Sequence, residues 1–209
     1  MRKSIVVALL CFFGVIQMNA QVTFRPGVKA GVNFSHFTQT DRTNEKFNSK
    51  TDFYAGVFGA LKLTKIYTLQ PELVYTRQGA EREFFDASNV RRTETLDVSY
   101  LSIGVANKFT FKNFNFQVGP TIDIKVNDSH KDIAPNDGSS QYYEFNYNPY
   151  TGIDFAFFAG VGYDFTKNFG VEARIKKGII PVNDTWGDET DNYTNVVFQV
   201  GATYTFDIK

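Results

Sequence analysis

Only two histidines, His36 and His130, are available for proton transfer in this chain. A serine hydrolase needs a histidine within reach of a serine and a carboxylate to orient the ring. Ser35, Ser99 and Ser102 lie on candidate strands, but no spacing ties any of them to either histidine. Gly-x-Ser-x-Gly, phosphate-loop and paired-histidine patterns do not occur. The single cysteine, Cys11, falls in an N-terminal apolar run, so the mature chain is expected to carry no cysteine nucleophile, disulfide or cysteine metal site. These residues read as a protein that is not an enzyme, with no catalytic residues, no metal and no cofactor.

Two other groups of residues carry more information. Lys29, Glu72, Lys108, Asp123, Lys125, Asp154, Glu172, Arg174 and Lys176 each alternate with apolar neighbours. If their faces turn to one interior, charges of both signs meet there and must pair or hydrogen-bond. The expectation is a plug-like polar network. A narrow ion path lined by the same residues is the sharper alternative. The second group is Tyr142, Tyr143, Tyr147, Tyr150 and the sole tryptophan, Trp186, in polar segments. Tyrosine offers contact area at low entropic cost, so these are the candidate surface-loop ligand contacts. The acidic run Asn183–Asp191 reads as a solvated loop rather than a cation site, and Asn136-Asp137-Gly138 as a tight turn splitting its loop into a hairpin. Lys and Arg number 22 and balance 22 Asp and Glu, with no basic stripe, which argues against nucleic acid.

These residues are positioned by eight candidate strands: Pro26–Phe37, Asp52–Leu63, Tyr67–Gln78, Leu96–Phe111, Asn115–Val126, Thr151–Phe165, Phe169–Lys177 and Asn195–Phe206. Apolar and polar side chains alternate along each, the mark of a strand between two media. Short turns (Thr64–Ile66, Lys112–Phe114, Thr166–Asn168) interleave with long polar segments (Thr38–Thr51, Gly79–Thr95, Asn127–Tyr150, Gly178–Thr194). All turns then lie at one end and all long loops at the other, as in an outer-membrane barrel. The expected fold is all-β: an eight-stranded antiparallel up-and-down transmembrane β-barrel.

The ends of the chain agree. Arg2 and Lys3, an apolar run from Ile5 to Ile16 and a small residue at Ala20 describe a signal peptide. Residues 1–20 are expected to be cleaved, leaving residues 21–209 as the barrel domain. The last strand carries Gln199, Gly201, Tyr204 and Phe206, similar to the C-terminal signal read by the barrel-insertion machinery.

Alternation alone does not fix which face is outside, and a soluble lipocalin-like carrier has the opposite arrangement. Glycines gather on the polar face (Gly31, Gly104, Gly119, Gly160, Gly162, Gly201), suiting a narrow interior. Aromatics gather near strand ends: Tyr67, Phe109, Phe114, Phe169 and Phe206 towards the turns, and Phe34, Phe37, Phe53, Tyr75 and Tyr150 towards the loops. Both features favour apolar-out. Pro71 and Pro120 within strands require a bulge or an interrupted ladder.

Leu69-Gln70-Pro71-Glu72-Leu73-Val74-Tyr75 resembles a signature of the PorT-like family of outer-membrane β-barrels. Tyr100-Leu101-Ser102-Ile103, Gly119-Pro120 and Ala159-Gly160-Val161-Gly162-Tyr163 follow in the same order, so the resemblance spans Phe24 to Phe206. Ser102-Ile103-Gly104 departs from it, where the family often has an acidic residue and a proline. The resemblance accounts for the two prolines. It implies a small barrel in the cell outer membrane with periplasmic termini and extracellular loops, and no catalytic residues to carry over. The expected role is structural or surface-interacting, with outer-membrane lipid around a monomer and an extracellular ligand or a secretion partner to meet. An accessory role in protein secretion and a narrow pore are the alternatives.

Overall fold

A strand that is apolar on one side and polar on the other needs two different media, and in lipid every backbone group must also be bonded within the protein. Closure into a ring meets both demands. The computed structural model describes residues 22–38, 46–85, 89–133, 151–181 and 194–207. These form β1 (Thr23–Thr38), β2 (Lys46–Lys62), β3 (Tyr67–Phe85), β4 (Arg91–Phe111), β5 (Phe114–Ile133), β6 (Ile153–Asp164), β7 (Phe169–Gly178) and β8 (Thr194–Thr205). Each strand pairs antiparallel with the next, and β1 closes on β8 from Gly27↔Thr205 to Thr38↔Thr194. The expected eight-stranded barrel is the fold. The expected signal peptide, residues 1–20, lies outside the described residues.

Three tight turns lie at one end, the turn end. Two of them use one device. Thr64 Oγ1 accepts the Tyr67 N–H at 3.0 Å, and Thr166 Oγ1 accepts the Phe169 N–H at 2.9 Å. Each threonine fixes its turn and hands the chain to an aromatic residue that opens the next strand. The third turn, Lys112-Asn113, places Lys112 in the left-handed region at φ 56°.

The faces are inverted relative to a water-soluble protein. Phe114 and Phe157 are 62% and 57% exposed, whereas Lys29 and Arg174 are each 4% exposed. Such a surface is costly in water and suited to hydrocarbon. Around the turn end the outward rings form a belt: Tyr67–Phe109 (centroids 5.2 Å apart), Phe111–Phe116 (6.4 Å), Phe114–Tyr163 (4.9 Å) and Tyr204–Phe206 (5.2 Å). A second belt nearer the loops includes Phe34–Phe198 and Phe53–Tyr75.

Phe37 does not join that second belt as expected. It has the parity of Asn33 and Ser35 and points inward, 4% exposed. Tyr54, Phe58 and Phe158 also point inward. Glycines make room for them: a Cβ on Gly201 would meet the Tyr54 hydroxyl at 2.2 Å, and one on Gly27 would meet the Phe58 ring at 2.2 Å.

The two prolines interrupt ladders without shifting register. Pro71 pairs with Val105 on β4, while the β2–β3 ladder passes from Phe58↔Glu72 to Leu61↔Leu69 with no bridge opposite Pro71. Pro120 pairs with Phe157 on β6, while the β4–β5 ladder passes from Gly104↔Thr121 to Asn107↔Val118. The missing N–H is thus confined to one side of each strand. Beside the second gap, Asn107 Nδ2 donates to the Val118 carbonyl at 3.2 Å.

The segments Thr38–Thr51, Gly79–Thr95 and Asn127–Tyr150, expected as loops, are partly strand. β2 begins at Lys46, β5 runs to Ile133, and β3 and β4 stay paired out to Phe85↔Arg91. β2 to β5 are 17 to 21 residues long, against 10 to 12 for β6 to β8. One side of the barrel therefore continues as a raised sheet. Irregular registers mark its base, at Ser49/Tyr54 on β2 and opposite Ser99/Tyr100 at Val126 on β5.

Candidate functional site: a closed polar lumen

The inward parity of eight strands brings the candidate charged residues into one column. At its middle, Arg174 on β7 reaches Glu72 on β3 through two bonds of 2.7 Å. Arg174 also lies 3.1 Å from Glu172. Lys29 on β1 lies 3.2 Å from Glu72 and contacts Glu172. Two cations and two carboxylates thus neutralise one another, each buried. Gln70 Nε2 donates to Glu72 Oε1 at 2.8 Å, and Gln117 Oε1 accepts from Arg174. The Phe158 ring backs the guanidinium, 4.5 Å from centroid to Cζ. Such an arrangement repays desolvation because nearly every lone pair and proton has a partner.

Towards the loops the lining changes. On one wall Lys176 meets Asp123, which also accepts from Ser102 Oγ at 2.6 Å. On the other, amides link β8, β1 and β3: Gln199 Nε2 donates to Asn33 Oδ1 at 2.9 Å, Asn33 Nδ2 to Thr76 Oγ1 at 2.8 Å, and Asn195 to Gln78. Above them Phe37, Ala80, Leu96, Val98 and Tyr100 pack together, with Phe47 against them. The raised sheet thus carries its own small apolar core on its inner side. The space left between the ion cluster and the amides is about 20 Å³, room for about one water.

The remaining candidates sit apart from the central cluster. Lys108 pairs with Asp164 at 3.4 Å near the turn end. Lys125 lies 3.7 Å from Asp128 beside the Val126 irregularity. Asp154 stands opposite Asp123 in the ladder and accepts the Ile180 N–H at 3.2 Å; among the described residues it joins no ion pair. Tyr142, Tyr143, Tyr147, Tyr150 and Trp186 lie outside the described residues, as does the Asn136-Asp137-Gly138 turn.

The serines are committed elsewhere. Ser35 bonds both the N–H and the carbonyl of Gly79, Tyr75 Oη donates to Ser99, and Ser102 holds Asp123. His36 forms no hydrogen bond among the described residues, and the His130 side chain lies outside them. No group of three metal-ligating side chains converges among the described residues.

Tyr54, Gln70, Gln117 and the amide wall were not singled out from sequence. Their signal is parity: Tyr54 shares the face of Gly56 and Phe58, which only makes sense if that face is the interior.

An inverted exterior, a closed ring and a charged interior leave one class of protein, and residues 19–184 match the family model for the outer membrane protein beta-barrel domain. The chain belongs to that family. A member of it resides in the cell outer membrane, surrounded by lipid at the apolar band. No curated protein matches the chain in sequence. Among solved structures it is similar to Neisserial surface protein A (15% identity, 87% of this chain and 97% of that one, TM-score 0.52). It is also similar to Ail, the attachment invasion locus protein of Yersinia pestis (12%, 88% and 99%, TM-score 0.48). The outer membrane protein OprG from Pseudomonas aeruginosa follows (11%, 92% and 100%, TM-score 0.48). At these identities the likeness to Neisserial surface protein A speaks for the fold alone.

Proposed function

We propose that this outer-membrane barrel is a non-catalytic surface-interaction protein. It stands as a monomer inserted by the barrel-assembly machinery, its turn end in the periplasm and its raised sheet outside the cell. The observation that carries this reading is the length difference between the two sides. β2 to β5 continue past the aromatic belt of Phe53 and Tyr75, while β6 and β7 stop near it among the described residues. Spanning lipid needs about 9 to 11 residues per strand, so the excess serves something beyond anchoring. Tyr142, Tyr143, Tyr147, Tyr150 and Trp186 belong to the same loop end and would supply contacts there. The closed lumen counts against the pore alternative. The motif around Gln70-Pro71-Glu72 supports a PorT-like assignment within the family but does not single out a secretion component, so an accessory role in secretion stays the alternative.

The test is site-specific photo-crosslinking in living cells from Glu81 and Thr95, which pair on the outward face of the raised sheet. A discrete protein or polysaccharide adduct is expected from these positions and not from Ile122 on the lipid face. Adducts with lipid alone at all three positions would refute the reading. Stepwise conductance in planar bilayers would instead favour the pore.

A further inference from the structure

The turn end of the lumen opens into a vestibule of about 420 Å³. Its lining has an unusual charge balance. Arg25, Lys62, Lys65, Lys108, Lys112 and Lys167 face one acidic residue, Asp164. Asp164 answers Lys108, and Asp207 at the rim is shared between Arg25 and Lys167. Among the described residues Lys62, Lys65 and Lys112 have no ionic partner. Threonine hydroxyls stand between the cations, Thr68, Thr110, Thr203 and Thr205 among them.

The vestibule is also a dead end. Gln70 forms its floor and is tied to Glu72 of the buried ion cluster that fills the lumen above it. An anion drawn in by the summed field meets lysines at the wall and is stopped at the neutral, close-packed ion cluster beyond Gln70. Such a chamber concentrates anions without conducting them. A Lys-rich wall with hydroxyl donors fits a phosphate group, whose oxygens accept several charge-assisted hydrogen bonds at once.

We propose that the turn-end vestibule is a binding site for a phosphate-bearing anion, with Lys62, Lys65 and Lys112 as the principal ligands. The placement in the periplasm rests on the orientation proposed above; the binding chemistry does not. Two sources share this chemistry, a soluble phosphate compound and the headgroup of an anionic phospholipid.

The experiment uses the full-length protein in nanodiscs. In one arm, discs of phosphatidylcholine alone are titrated with pyrophosphate and binding is read by calorimetry. In the other, discs containing phosphatidylglycerol are analysed by native mass spectrometry for retained lipid. The variant is K62Q/K65Q/K112N, asparagine being chosen because it tolerates the left-handed backbone at position 112. R91Q, at the opposite end of the barrel, controls for loss of a cation away from the site, and heat-modifiable gel mobility confirms that each variant is folded. Saturable binding in either arm, weakened about tenfold or more in the triple variant and unchanged in R91Q, is expected, and the arm that responds identifies the source. Absence of saturable binding in both arms overturns the proposal. So does equal binding by the triple variant, or an equal loss in R91Q. A pore or interaction assay plays no part in these readouts, so the site stands or falls apart from the surface role.

Discussion

Arg174 and Glu72 join opposite walls of the barrel, β7 to β3, by a two-pronged contact in which Nη1 and Nη2 each donate over 2.7 Å to a separate carboxylate oxygen. The same guanidinium also serves Glu172, and Lys29 serves both acids. The lumen at this level is filled by paired charge, with the Phe158 and Tyr54 rings packed against the cations.

Removing Arg174 therefore leaves two buried carboxylates with one lysine between them. Arg174→Ala is expected to cost about 3 to 5 kcal/mol, the range for breaking one side of a buried pair. Arg174→Lys is not a conservative rescue, because an ammonium does not supply two parallel donors in one plane. Urea unfolding in detergent, followed by heat-modifiable mobility, should place both variants below the parent, with Arg174→Ala/Glu72→Gln closer to it than Arg174→Ala alone. Equal midpoints for Arg174→Ala and the parent would mean that the Arg174 contacts contribute nothing to stability.

The strand parity was legible from the sequence because lipid enforces it. Val28, Val32 and Phe34 must meet hydrocarbon, so Lys29, Asn33 and Ser35 must face inward, and the ion cluster follows in outline. What lies above the lipid is not held to that rule. Gly79-Ala80-Glu81-Arg82-Glu83 looks like a polar loop because its outer face meets water. Only Ala80 and Leu96 on its inner side betray a small core, and their period is hidden among charges. Phe37 misled for the same reason: an aromatic near a strand end suits a lipid belt and a small inner core equally well, and only its parity with Ser35 separates the two. Which acid meets which base could not be read either, since Glu72 lies 102 positions from Arg174 and the pairing depends on how eight strands stagger on closure.

At the turn end, Asp207 clasps the closing seam. It lies 2.8 Å from Arg25 on β1 and 2.7 Å from Lys167 in the β6–β7 turn. Its carboxyl is held below the usual aspartate range, first by the hydrogen bond from Lys167, then by one from Asn168, with the charges of Lys167 and Arg25 adding to them. A carboxylate with a lowered folded-state pKa contributes stability above its unfolded value of about 3.9, and that contribution disappears as pH falls through the lowered value. Asp207→Asn should thus unfold at slightly lower urea than the parent near neutral pH, and the two should converge as pH falls through the lowered value. Because the clasp is exposed, the neutral-pH difference should be small and should shrink in salt. A difference that persists at low pH would assign the effect to something other than the charge.

The inverted exterior predicts where a charge is most harmful. Ile122 points outward midway along β5, while its neighbour Thr121 points into the lumen and is 7% exposed. In lipid, Ile122→Arg is expected to cost about 2 to 4 kcal/mol, and the same change at Phe116, near the turn-end belt, about 0 to 1 kcal/mol. A water-facing wall would show no such depth dependence, since surface changes away from special features usually fall within about 0.5 kcal/mol of neutral. Reversible unfolding from phospholipid vesicles measures both variants on one scale. A larger loss at Phe116 than at Ile122 would place the lipid band elsewhere on the barrel. Equal small effects at both positions would remove the lipid from the account of why phenylalanine and isoleucine cover this protein.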